Sequence, residues 1–582
     1  MTAWLVGLTI GLPWLGALIV WRIPDKYPTR QHGLAVMVSL VGAVVALMLV
    51  AYHDTDVAIR WHMGGMFGDF TFVPDGPGVF LAAIAAVIGS LTVIFSVDYM
   101  HNERYLGRYY ALVLVFIGAM AGLVLTGNLL LLFFFWEITA LCSYALIAFD
   151  HDNPAAVAGG LKALIMTQLG GIGLLIGSLA AYGRLGTDEI AVLLAKADTL
   201  PHHELSLIAF SFLIAAMAKS AQVPFHTWLP GAMEAPTPIS ALIHAATMVN
   251  AGVYLLARFY PLFEGVTGWT TAVMAVGMIS ALLAALMALV ATDLKRVLAY
   301  STISQLGFMV FAVGAGGIFA SQFHLLSHAV FKALLFLGAG AVIHTLGTRD
   351  MRKMGGLARS MPIVAVVFVI GAMALAGIPG VNGFWSKELI LERGFDEAPL
   401  LFSTAMLIGA GLTALYTLRM VWMVFFGTPQ FEGHVHDAPT AMRISLGVLA
   451  VGTLTTWLLA GPLSKLLAET LPYHHLHAES TGDVITDVMT APITLLAVCV
   501  VALGLLAWII RARLGWLVNR LQTPAQYARQ DFGFEALNQA VIHSTRSIAE
   551  KLRSTQTGQL DWNIFAIVVG LLAILVYVAA EV

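Results

Sequence analysis

The chain is short of charge, of cysteine and of any basic surplus. Asp, Glu, Lys and Arg make up 11% of its 582 residues, against about 25% in ordinary soluble domains. That shortage, on so apolar a background, excludes disorder and argues against one large soluble core. The net charge of -3 offers no basic face for nucleic acid. The two cysteines, Cys142 and Cys499, lie in apolar runs without metal-ligand spacing, which argues against a disulfide or a metal centre. No Cys cluster is present, and no Gly-rich nucleotide loop follows a strand. The sequence therefore predicts no cofactor and no redox site of its own. No cleavable signal is evident either, because the first apolar run, from about Trp4 to Trp21, is long enough to span and ends in a charged loop.

What the chain has is apolar length. Hydrophobic residues account for 59% of it, and the mean hydropathy is +0.86. Runs near 3–21, 33–51, 78–97, 109–126, 129–149, 160–182, 206–223, 237–258, 268–291, 297–315, 319–346, 362–390, 401–426, 444–468, 490–510 and 561–579 predict an all-α, polytopic membrane protein of about sixteen helices. Loop charge gives the orientation. One alternate set of loops holds Arg22, Lys26, Arg30, Arg104, Arg108, Lys295, Arg296, Arg349, Arg352, Lys353, Arg359, Arg443 and the run from Arg511 to Arg553; the other holds only Arg60, Arg184, Lys196, Arg258, Arg393 and Lys465. The bias places the first set on the cytoplasmic side of a cell's inner membrane and both termini outside. Segment 511–558 is mixed in polarity, with Phe532, Phe534, Leu537, Val541 and Ile542 at near-helical spacing. It predicts an amphipathic helix lying along the cytoplasmic face, or more simply a loop with a short helix.

Two spans carry breakers beside a lysine. One runs from Lys219 to Pro224, the other from Gly377 and Pro379 to Lys387. Paired broken spans in two halves of a membrane protein point to inverted repeats around a central site.

Ionisable residues inside spans are costly and are read first as functional. Glu137 follows an unbroken apolar run, Lys219 and His244 sit in apolar helices, and His324, His328 and Lys332 fall at i, i+4 and i+8, on one helical face. Lys387 closes the series. Burial lowers a lysine's proton affinity and a nearby carboxylate restores it, so a Glu–Lys pair of changing separation can load and release a proton. Histidine relays protons near neutrality. Simpler readings exist: Glu137 and Lys219 as a static buried pair, His244 as a packing residue, Lys295 as a topology charge beside Arg296. The His324/His328 spacing suits a metal, but no third ligand is near and Lys332 would repel a cation. His474, His475 and His477 read as a solvated loop.

At these residues the sequence resembles a known family, the large antiporter-like subunit of respiratory complex I (subunit L type), shared with Mrp sodium/proton antiporters and membrane-bound hydrogenases. The resemblance is carried in order by Phe135-Trp136-Glu137, by Lys219 to Pro230, by Ala235 to Val249, by Asp293 to Gly307, by the His324–Lys332 helix, by Met354-Gly355-Gly356-Leu357 and by Gly383-Phe384-Trp385-Ser386-Lys387-Glu388. It implies an ion pair of Glu137 and Lys219, a central relay at His244, a connecting axis of Lys295, His324, His328 and Lys332, and an exit-side lysine at Lys387. It also implies a division into N-terminal helices (1–108), two inverted five-helix repeats (109–260 and 268–426), C-terminal helices (427–510), a lateral amphipathic helix (511–558) and a final span (559–582). One departure stands out. Many respiratory subunits carry an acid in the sixth span after the position of Lys162; here the stretch reads Thr167-Gln168-Leu169-Gly170-Gly171.

The resemblance implies a proton-translocating, non-redox subunit working in the bilayer with other membrane subunits. Met351 to Gly356 fits a respiratory subunit, whereas Thr348-Arg349-Asp350 and Gly118-Ala119-Met120 look more like the Mrp large subunit. Rival readings are a sodium/proton antiporter subunit, the energising subunit of an inorganic-carbon uptake complex, and a non-transporting scaffold. Sodium needs a shell of oxygen ligands, and the axis is rich in nitrogen bases, which favours protons.

Overall fold

Thirteen helices among the described residues are long and apolar enough to cross a membrane. The computed structural model describes residues 1–53, 59–62, 69–196, 199–431, 435–470 and 477–555. The expected last span, 561–579, and His474 and His475 lie outside them.

The chain opens with α1 (Thr2–Arg22), α2 (Pro28–Ala51), α3 (Gly76–Tyr99), α4 (Leu106–Leu125), α5 (Leu129–Ile147) and α6 (Pro154–Leu185). After short α7 (Ile190–Ala195), α8 (His202–Lys219) stops, and α9 (Trp228–Gly231) follows. One span is then built from α10 (Thr237–Ala241), a π-turn at Leu242–Ala246 and α11 (Asn250–Phe263). Next come α12 (Trp269–Val290), α13 (Leu294–Gly314), α14 (Ile318–Leu346), α15 (Pro362–Ala376), α16 (Asn382–Glu397) and α17 (Leu400–Val421), which runs into a second π-turn at Trp422–Phe426. α18 (Thr440–Thr455), α19 (Ala460–Thr470), α20 (Thr481–Thr490) and α21 (Pro492–Ile509) complete the membrane body.

Every predicted span up to 490–510 is helical, and the two that fall short of a full crossing helix are the two with breakers. α8 stops at Lys219, and Ala221 at φ 49° turns the chain out of helix ahead of Pro224, which offers no N–H and disfavours helical backbone at Val223. α15 stops at Gly377, whose φ of 80° is the left-handed cap that glycine adopts without strain. Two isolated antiparallel bridges tie loops flanking helix pairs: Asn128 to Glu189 around α5 and α6, and Asp293 to Asp350 around α13 and α14.

Packing in a bilayer gains little from apolar contact between helices, since lipid is equally apolar, so close backbone approach matters more. Gly170, Gly173 and Gly177 of α6 form such a seam against α8. A Cβ at Gly173 would meet the Ser211 carbonyl oxygen at 2.7 Å, and one at Gly177 the Phe212 ring at 2.7 Å. The opposite side of α6 exposes Leu161, Ile165, Leu169, Ile172, Ile176 and Leu179, as a lipid-facing stripe should. The α10–α11 span and α13 are buried along their whole apolar length. They therefore carry polar residues out of contact with lipid.

The all-α architecture holds, with one small addition among the described residues: Ile59–His62 and Asp69–Phe72 pair antiparallel, Ile59 opposite Phe72. One expectation is corrected. Segment 511–558 is not one helix but α22 (Gly515–Arg520), α23 (Gln522–Arg529) and α24 (Phe534–Thr555). Gly533 at φ 85° and Phe532 at φ 51° break the run before α24, so Phe532 does not share its helical face. The described residues from Gln526 onward fall in a unit of their own, distinct from Met1–Ala525.

Candidate functional site

The glycine seam of α6 sets the position of α8, and the end of α8 sets Lys219. Lys219 is fully buried. Its Nζ donates to the Trp136 carbonyl oxygen at 2.8 Å and lies 4.8 Å from the centre of the Trp136 ring. Trp228 Nε1 donates to the Ala218 carbonyl at 3.0 Å, so α9 closes the end of α8. A cation at a helix C-terminus also suits the helix dipole. Glu137, next to Trp136 on α5, is half-buried against Gly171 of α6, with Oε1 lacking a protein partner. Glu137 and Lys219 interact electrostatically. Among the described residues, no direct salt bridge joins them.

His244 sits in the π-turn. The ring is fully buried between Trp228 and Phe336, with centroids 6.1 and 5.9 Å away, and neither nitrogen has a hydrogen-bond partner in the protein. A π-turn frees backbone carbonyls. Here Thr247 Oγ1 donates to the Leu242 carbonyl at 2.5 Å and Asn250 Nδ2 to that of Ala245 at 3.0 Å. The turn is thus satisfied while the imidazole keeps both nitrogens for a relay.

The α14 residues are buried together. His324 Nε2 lies 3.0 Å from Gln305 Oε1 on α13, and Nδ1 lies 2.9 Å from Ser386 Oγ on α16. The His328 ring is 6.5 Å from that of His324 and faces the Ala245 backbone beside His244. Lys332 donates to Ser301 Oγ and, at 3.3 Å, to the Leu298 carbonyl on α13. Lys387 donates to the Leu375 carbonyl at 2.7 Å, reaching back across the break between α15 and α16.

Lys295 and Arg296 part company: Arg296 is exposed, whereas Lys295 is buried and donates to the Ala235 carbonyl at 2.5 Å. Lys295 lines a cavity of about 450 Å³, with Glu103, Asp150, Glu234 and Arg349 in its wall. Arg349 clamps that wall, bonding Glu234 Oε1 at 2.9 Å, Asp293 Oδ2 at 3.2 Å and the Met233 carbonyl at 2.9 Å.

All the predicted axis residues are therefore in or beside the buried interior, carried by α5, α8, the first π-turn, α13, α14 and α16. Their neutral partners Gln305, Ser301 and Ser386 were not singled out by sequence, because a lone serine or glutamine in a span is common. Glu388 is buried beside Lys387, with Oε2 lacking a protein partner; its adjacency to a span lysine was the available signal. Arg258 was read as a loop charge. It is buried instead, paired with Asp75 Oδ2 at 2.8 Å and with Tyr254 Oη at 2.6 Å.

The chain has relatives among known proteins. Residues 126–413 match the family model described as "NADH:quinone oxidoreductase/Mrp antiporter, TM". The chain is 32% identical to the NAD(P)H-quinone oxidoreductase subunit 5, organellar chromatophore 1, of Paulinella chromatophora, across 96% of this chain and 92% of that one. It is 39% identical to the Na(+)/H(+) antiporter subunit A1 of Staphylococcus haemolyticus over 80% of its length, spanning 62% of that longer protein. Its fold superposes on a chain of the Mrp complex from a Dietzia species with a TM-score of 0.84 at 28% identity, covering 99% of this chain and 63% of that one. With its buried line of lysines and histidines and a relative matched nearly end to end, the chain is a multi-pass membrane protein that belongs to the NADH:quinone oxidoreductase/Mrp antiporter transmembrane family.

Proposed function

We propose that this chain moves protons across the membrane as one subunit of a larger complex, along Glu137, Lys219, His244, Lys295, His324, His328, Lys332 and Lys387. One observation carries the reading: four lysines and three histidines on this line are each 2% exposed or less. So many desolvated bases would be a costly scaffold. Lys219 bonded to a carbonyl beside Glu137, rather than to the carboxylate, supports a pair whose separation changes with load. The cavity reaching Lys295 supports uptake from the side of the Arg104 and Arg349 loops, the cytoplasmic side by loop charge.

The domain reading, with repeats at 109–260 and 268–426 flanked by 1–108, 427–510, 511–558 and 559–582, has its own support. Each proposed repeat holds a bridged helix pair, a broken span bearing a lysine, and a π-turn in its last span. Kinship with quinone oxidoreductase subunits supports a respiratory parent complex. The likeness of nearly all of this chain to 63% of an Mrp chain favours a second reading, a sodium/proton antiporter subunit. In the purified complex, reconstituted in vesicles, proton flux that survives without sodium supports the first reading, and flux that requires sodium the second. Full flux after Lys332→Ala would overturn the shared axis.

A further inference from the structure

One hydroxyl in the axis has two partners and a single hydrogen. Ser386 Oγ lies 2.9 Å from His324 Nδ1 and 3.1 Å from the carbonyl oxygen of Asn382. On its other side, His324 Nε2 meets Gln305 Oε1 at 3.0 Å. An amide oxygen only accepts, so Nε2 carries a hydrogen. In neutral His324, Nδ1 is then a bare acceptor and the Ser386 hydroxyl must donate to it, which leaves Asn382 without that bond. When a proton binds at Nδ1, the new N–H donates to Ser386 Oγ, and the serine hydrogen turns to the Asn382 carbonyl. No bond to carbon changes; one proton is gained by the ring and one hydroxyl rotates.

The carbonyl at the other end of that rotation matters. Asn382 is the first residue of α16, on the far side of the break from α15. Ser327 of α14 also donates to its carbonyl, at 3.3 Å, and its Nδ2 donates to Thr456 Oγ1 at 2.9 Å. The adjacent Lys387 holds the Leu375 carbonyl in the last turn of α15. Two consecutive side chains thus brace opposite rims of the break. A serine bonded to the carbonyl four residues earlier is ordinary in membrane helices. A serine shared between that carbonyl and a buried imidazole is not. The titratable groups facing His324 are Lys387 of α16 and His328 and Lys332 of α14; α13 presents the neutral Gln305.

We propose that Ser386 is a positioning residue whose hydroxyl alternates between His324 and the Asn382 carbonyl according to the charge on His324, so that each proton reaching His324 adds a bond in the first turn of α16, at the break from α15. The inference rests on the proton-translocating reading. Its test is proton flux against pH in vesicles holding the assembled complex, for the wild type, Ser386→Ala, Ser386→Cys, Ser386→Thr and Lys332→Ala. Ser386→Ala and the near-isosteric Ser386→Cys, a feeble hydrogen-bonding group, are expected to slow flux about tenfold and to move the midpoint of the pH profile by about half a unit. Ser386→Thr, which keeps the hydroxyl, is expected to restore both. An unmoved midpoint in the alanine and cysteine variants, or a threonine variant that behaves like alanine, overturns the switch. Wild-type flux in Lys332→Ala overturns instead the reading beneath it.

Discussion

The ammonium of Lys219 is bonded to the carbonyl oxygen of Trp136, at 2.8 Å, one residue short of Glu137 along α5. Carbonyl and carboxylate are alternative acceptors within reach of one flexible side chain at the free end of a helix. A small shift of that end would exchange a neutral partner for a charged one. In a low-dielectric interior such an exchange changes proton affinity strongly.

Lys219→Ala should therefore cut proton flux at least about tenfold, or about 1.4 kcal/mol of barrier, while the complex still assembles. Lys219→Arg keeps the charge, but its planar fork does not fit a site built around a single carbonyl, and it should fail similarly. Dye-quench measurements in vesicles, alongside copurification of the partner subunits, check both.

Gly171→Ala tests the other half of the pair. The new Cβ would land on Glu137 Oε1, forcing the carboxylate away from α6. Flux should fall several-fold, and Gly183→Ala, where nothing lies within 4 Å of the new carbon, should leave it unchanged.

Asp75 and Arg258 should matter for stability. Arg258 and Asp75 are only 6% and 12% exposed. Removing one partner of a buried pair leaves an uncompensated charge, at a cost of about 3–5 kcal/mol. Asp75→Asn should lower the unfolding temperature of the detergent-solubilised protein by several degrees, followed by tryptophan fluorescence. The double variant Asp75→Asn/Arg258→Gln should recover part of the loss.

The Arg349 clamp predicts gated access. With exposed Cys499 replaced by serine, a cysteine at Glu103 should label rapidly with a membrane-impermeant maleimide from one side only. A cysteine at Lys295 should label slowly, and at least about tenfold faster when Arg349→Ala releases Glu234 and Asp293. Equal rates with and without the clamp would rule out Arg349 as the bar across the cavity.

Much of this site could be read in the sequence, because a charge in an apolar run has no local explanation. Glu137, Lys219, His324, His328, Lys332 and Lys387 stood out that way, and Pro224 and Gly377 marked both breaks. The partners did not stand out. Ser386 and Gln305 are unremarkable in spans, and only the approach of α13, α14 and α16 puts them on one imidazole. Arg258 sat near the end of a predicted span, where a topology charge was the simpler reading, until α3 brought Asp75 against it. The π-turn at His244 left no trace in composition, since Leu242–Ala246 would suit an α-helix equally well. The break before α24 was written in Gly533, yet the apolar spacing around it suggested one continuous helix.

What the sequence determined by itself is therefore the membrane, the order of helices, where two of them must break, and which charges fall inside apolar runs. Hydropathy and backbone restrictions act over a turn or two of chain, so a local reading suffices. What only the tertiary structure decided is the state of each charge: Lys219 on a carbonyl instead of Glu137, Lys295 buried while Arg296 is not, His324 sharing a single serine hydrogen with a helix break. Desolvation and hydrogen-bond partnership depend on groups far apart in sequence, and packing alone brings them together.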